Sequence, residues 1–148
     1  MERRKFLAIT GAAAALTTPL VIRPALATPP DMQRAMRDLF GDSPMTKGRV
    51  KLDIPNLVEN GNTVSVTLSA DGPMAGPQRI NSLHLFAEEN PAPNVGSFHF
   101  GPRAGQIRVS ARIRLATTQT VWLVGKAEDG SLWSDGVEVL VTLAACIE

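Results

Sequence analysis

The chain has 148 residues, with 15 basic and 14 acidic side chains and one cysteine, Cys146. A balance this close to neutral gives no electrostatic case for binding nucleic acid or an anionic membrane, and a single cysteine excludes an internal disulfide. The length suits one domain with a modest core.

Residues 1–27 read as a targeting segment and are set apart from the fold. Arg3 and Arg4 stand together ahead of Lys5, Phe6 and Leu7, the pattern of a twin-arginine export signal. The uncharged run from Ala8 to Ile22 is too short and too mildly apolar to span a bilayer permanently, and it has no polar face, so an amphipathic first helix does not fit it. It closes on Ala25-Leu26-Ala27, a small-x-small cleavage pattern that places the start of the mature chain near Thr28 and the protein in the periplasm. Loss of Arg3, Arg4, Lys5, Arg23 and Glu2 leaves 11 basic and 13 acidic residues, net −2. The mature form is therefore expected to bind neither nucleic acid nor membrane.

After Pro29 and Pro30, the residues Met32, Ala35, Met36, Leu39 and Phe40 recur at helical spacing, and Gly41 suits a C-terminal cap. This predicts one short amphipathic helix over Asp31–Phe40, its apolar stripe packed on the domain or on a partner. Beyond Pro44 the pattern changes to period two. Strands are predicted over 50–54, 63–68, 82–87, 97–100, 107–115 and 120–127, with a last paired stretch over 132–143. About seven short strands separated by turn residues point to an all-β, immunoglobulin-like antiparallel sandwich over residues 28–143, helix included. In the clearest strand Ile107, Val109, Ala111, Ile113 and Leu115 face one way. Arg108, Ser110, Arg112 and Arg114 face the other, either as a basic docking face or, the preferred reading, as the solvated side. Trp122 and Trp133 read as core or edge packing.

Most catalytic constellations are missing. His84 and His99 lie on strands with no carboxylate or cysteine at ligand spacing, a weak signal that assigns no metal. Neither a nucleophile elbow nor a phosphate-binding glycine loop occurs, and Glu88-Glu89 reads as solvated surface. No catalytic residue and no cofactor are assigned. Cys146 remains. Two readings of it are open: an incidental tail residue or last strand position, and a reactive thiol on a short terminal tail, residues 144–148. An unpaired thiol in an oxidising compartment must pair between molecules, be modified or react, which favours the second. A thiol that serves as an attachment point needs no surrounding constellation, because a disulfide-type bond to it can be attacked again.

Five segments, LVENGNTV at 57–64, HLFAEENPAP at 84–93, FHF at 98–100, SARIRL at 110–115 and DGSLW at 129–133, together with the leader and the terminal cysteine, resemble the SoxY family over essentially the whole mature length. The resemblance implies a carrier, not an enzyme, of periplasmic thiosulfate oxidation, with sulfur intermediates held covalently on Cys146. It implies a heterodimer with SoxZ, a second sandwich protein. It also implies transient visits to a c-type cytochrome that conjugates thiosulfate to the thiol, a thiosulfohydrolase and a sulfane dehydrogenase.

The tail departs from the family pattern. SoxY usually ends in Gly-Gly-Cys-Gly-Gly, and here Ala144 and Ala145 precede the cysteine while Ile147 and Glu148 follow it. Alanine lacks glycine's access to positive φ and restricts a flexible chain by about 0.4–1 kcal/mol per residue, and Ile147 adds bulk beside the sulfur. Glu148 brings two carboxylates that disfavour a thiolate, which an unperturbed cysteine forms to only about 3% at neutral pH. The expectation is a divergent carrier with altered partner enzymes or a different sulfur substrate. The rival from another class is a scaffold of a periplasmic complex that no longer carries sulfur.

Overall fold

Strict alternation of buried and exposed side chains makes the thinner of two sheets. The structure, a computed structural model, describes residues 29–145. Strands β2 (Val50–Asp53), β4 (Val64–Ala70) and β7 (Ile107–Ile113) pair antiparallel in the order β2-β4-β7. Their apolar residues face inward, and Lys51, Asp53, Ser65, Arg108, Ser110 and Arg112 are exposed on the other side. The second sheet holds β1 (Met45–Lys47), β3 (Leu57–Val58), β5 (Ile80–Ala87), β6 (Asn94–His99), β8 (Gln119–Ala127) and β9 (Leu132–Val141). Its order is β1-β9-β8-β5-β6, with β3 also on β9. The inner faces meet in one core in which Leu68, Leu83, Leu115, Leu123 and Val139 are fully buried. Each such leucine contributes about 1.5–3 kcal/mol relative to exposure. The sheets approach closely at Gly125, where a Cβ would lie 2.5 Å from Val50 Cγ1, so no larger residue fits without a shift.

The long strands fall where the alternation predicts them, in an immunoglobulin-like sandwich. Two strands are additional: β1 and β3 are three and two residues long. Both pair parallel to β9, so the sandwich is not purely antiparallel. Helix α1 covers Pro29–Phe40, and its last turn closes at Gly41, which has φ +68° and donates its N–H to Arg37 O. The second sheet is covered on its outer face by this helix. Met32 is buried there with Phe86, Val124 and Leu132, and Ala35, Met36, Phe40 and Trp122 pack around them. Leu39, expected in the same stripe, is instead 44% exposed. Trp122 lies flat against Gly136, where a Cβ would come within 2.7 Å of its ring. Trp133, on the opposite face, packs on the main core with the Arg49 guanidinium 5.1 Å from its ring centre.

One end of the sandwich is closed by a buried cation. Arg79 is 4% exposed and donates to Glu128 Oε1 at 2.9 Å, to Phe100 O at 2.9 Å and to Gly101 O. A guanidinium offers five donors in a fixed fork, which suits it to gather two carbonyls of one loop and a carboxylate of another.

Candidate functional site

The opposite end carries the tail. Strand β9 stops at Val141, but backbone hydrogen bonding continues past it. Thr142 N–H donates to Val58 O at 3.0 Å, Gly61 N–H to Leu143 O at 2.8 Å, and Ala145 N–H to Leu115 O at 3.2 Å. Leu115 N–H donates in turn to Gly61 O at 2.9 Å. The Thr142 hydroxyl donates to Glu59 O, and Val141 N–H reaches Thr118 Oγ1 at 2.9 Å. Ala144 and Ala145, read from sequence as part of the tether, are thus joined to the domain. The next residue, Cys146, lies outside the described residues, as do Ile147, Glu148, Arg3 and Arg4.

The tail lies on the surface, whereas Val58, Gly61 and Leu115, which it bonds, are buried. Thr142, Leu143 and Ala144 are exposed, and Leu57, Leu140 and Leu143 leave apolar side chains 60%, 52% and 61% exposed around the exit. A backbone bond that water can replace stabilises by about 0.5–1.5 kcal/mol net. Gly61 itself is buried. A Cβ there would run into Leu115 O and lie 3.0 Å from Ala145 N and 3.1 Å from Val141 Cγ1. Two of these obstacles are backbone atoms, which no rotamer change moves.

Beneath the exit, Asn90 ties the loop after β7 in place. It is buried, accepts from Ala116 N at 2.9 Å and Gln119 Nε2 at 3.0 Å, and donates to Arg114 O at 2.8 Å. Leu115, whose carbonyl receives Ala145, is therefore held between two residues fixed by one amide side chain. The sequence reading did not single out Asn90. Its signal was an asparagine inside a proline-rich loop, a setting in which asparagine usually serves only the turn itself.

His84 and His99 are brought together on the outer face of the larger sheet, with ring centres 5.7 Å apart. His84 is buried under the Phe40 ring, and its two nitrogens bond the hydroxyls of Ser97 at 2.8 Å and Ser82 at 3.1 Å. Burial, then the facing His99 and Lys126, lowers its pKa from 6.5 to about 4. The ring is thus neutral, one nitrogen donating and the other accepting, and helps seat the helix. Among the described residues no group of three or more histidine, cysteine, aspartate or glutamate side chains is gathered for a metal. Arg108 and Arg112 are exposed on β7, and Arg114 is exposed just beyond it, as both readings of the stripe require. Glu88, read as solvated surface, is half-buried and accepts from Trp122 Nε1 at 2.9 Å.

The described residues form a small immunoglobulin-like β-sandwich with one amino-terminal helix. The family model for the sulfur oxidation protein SoxY matches residues 36–146, and the chain belongs to the SoxY family. The sulfur carrier protein SoxY from Chlorobium limicola f thiosulfatophilum superposes with a TM-score of 0.63 at 30% identity, over 76% of this chain and 96% of that one. Superoxide reductase (neelaredoxin) from Ignicoccus hospitalis gives a TM-score of 0.52 at 19% identity, over 78% and 94% of the two chains. A putative superoxide reductase from Thermotoga maritima gives 0.51 at 14% identity, over 66% and 87%. These last two are likenesses of fold alone. No curated protein sequence matches the chain.

Proposed function

We propose that this protein carries sulfur covalently on Cys146 and presents it to the enzymes of a periplasmic sulfur-oxidation system. The observation that carries the reading is the family match, which continues to residue 146 and so includes the cysteine. The 30% identical Chlorobium protein is itself a sulfur carrier. The chemistry needs little from the domain. The Cys146 thiolate and thiosulfate join through a new S–S bond, and two electrons leave to an oxidising c-type cytochrome. Water then attacks the terminal sulfonate sulfur on a thiosulfohydrolase, which releases sulfate and leaves a persulfide on the cysteine. A sulfane dehydrogenase oxidises that remaining sulfur. A SoxZ-like subunit completes the carrier as a heterodimer, and the paired Arg3 and Arg4 direct export.

Intact-mass measurement of the protein purified from cells fed thiosulfate tests this. A thiosulfonate or persulfide adduct that a thiol reductant removes, and that Cys146→Ser abolishes, is the expected result. Wild-type protein bearing no such adduct refutes carriage of that substrate. Unchanged sulfur oxidation by Cys146→Ser, with partner binding intact, would make the protein a scaffold instead.

A further inference from the structure

We propose that residues 142–145 form a releasable clasp, positioned by Gly61, that stores reach for the terminal thiol. This rests on the carrier reading given above. The boundary between fixed and releasable chain lies at Val141. Val139 is fully buried and Val141 packs against the core, whereas Thr142, Leu143 and Ala144 are exposed and Ala145 is half-buried. Backbone bonds to Val58, Gly61 and Leu115 hold the last four described residues, aided by the Thr142 hydroxyl on Glu59 O. Segments with few buried apolar contacts are the first to open locally.

Gly61 is required for space. It takes no positive φ, but its missing side chain lets residue 115 and residue 145 close over the same point. With the clasp closed, Cys146 follows directly on the last hydrogen bond. Opening it from Thr142 adds four residues of free chain, up to about 13–14 Å of extension. The two alanines then acquire a role. Arg49 is the one non-glycine described residue at positive φ, so Ala144 and Ala145 occupy backbone regions that alanine adopts without strain. Relative to glycine, each restricts the opened chain more than the closed one and biases the equilibrium toward closure roughly two- to fivefold. The Ala-Ala sequence makes this a carrier with a more strongly held arm.

Because Cys146 is the only cysteine, a nitroxide label on its sulfur reports the arm without further engineering. The electron spin resonance spectrum of the labelled mature protein is expected to contain a restricted component. The variant with Ala144→Gly and Ala145→Gly raises the mobile-to-restricted ratio roughly 4- to 25-fold, and Gly61→Ala removes the restricted component. The double variant alters no core residue, so it remains decisive if Gly61→Ala fails to fold. A wild-type spectrum without a restricted component, or a ratio unchanged in the double variant, overturns the clasp. The label reports no sulfur chemistry, so such a failure leaves the mass-spectrometric result for Cys146 standing, and a missing adduct leaves the clasp standing.

Discussion

The two ends of the sandwich solve the same problem by opposite means. At each end, loops leave carbonyl and amide groups that need partners. At one end a nearly inaccessible guanidinium, Arg79, collects Phe100 O, Gly101 O and the Glu128 carboxylate. At the other, residues 142–145 lie across the 58–61 turn and Leu115 through backbone bonds. The first closure cannot be undone without stranding a charge, which is prohibitive in a dry environment. The second can be undone at the cost of a few bonds that water replaces. The side-chain closure and the backbone closure thus lie on opposite sides of the domain.

The sharpest way to break this contrast is Arg79→Ala, which leaves two carbonyls without their donor. A loss of about 3 kcal/mol in urea-induced unfolding is expected, at the low end for a buried pair because Glu128 is half exposed. A loss under about 1 kcal/mol would mean that this end is no more firmly closed than the other.

A titration in the middle of the molecule separates end effects from global ones. His84 is neutral when folded, with its pKa held at about 4, whereas the unfolded chain takes up a proton as pH falls through 6.5. The unfolded state therefore binds the proton first, and stability is lost progressively from pH 6.5 down to about 4, by up to about 3 kcal/mol. Unfolding curves across that window should flatten in His84→Gln. Parallel curves for the two proteins would remove the histidine as the cause.

Asn90→Ala probes the support under the tail. It leaves Ala116 N–H buried without an acceptor and Arg114 O without a donor, and should cost about 2 kcal/mol. Amide exchange at Ala145 should rise in the same variant, since Leu115 loses its fixed neighbours. The smallest effect belongs to Thr142→Val, which removes only the exposed hydroxyl bond to Glu59 O. Global stability should stay within about 0.5 kcal/mol of wild type while exchange at Gly61 and Ala145 quickens. Equal quickening throughout the core would show that the tail does not open by itself.

The sequence made the helix and the long strands readable because their signals are periodic and local. Met32, Ala35, Met36 and Phe40 share a face, and Val50 and Leu52 or Val64, Val66 and Leu68 alternate without a break. Strands β1 and β3 are too short to show a period, and both owe their existence to β9 lying alongside. Leu39 shows the limit of the helical pattern: the stripe includes it, but it stays outside the cluster that Met32, Ala35, Met36 and Phe40 make with the sheet. Arg79 and Asn90 are polar residues that composition assigns to the surface, and partners distant in sequence hold them buried. At the tail, the cysteine was legible as the odd residue of the chain. Nothing local in Leu143, Ala144 and Ala145 revealed their attachment, because their partners lie at positions 61 and 115.

The placement of the two tryptophans gives the protein a pair of built-in optical reporters. Trp122 is wedged between α1 and Gly136 beside a carboxylate, while Trp133 sits on the other face of the same sheet beside a guanidinium. Replacing either by phenylalanine leaves one emitter. The survivor's spectrum then follows undocking of the amino-terminal helix, or loosening between the sheets, as a separate event.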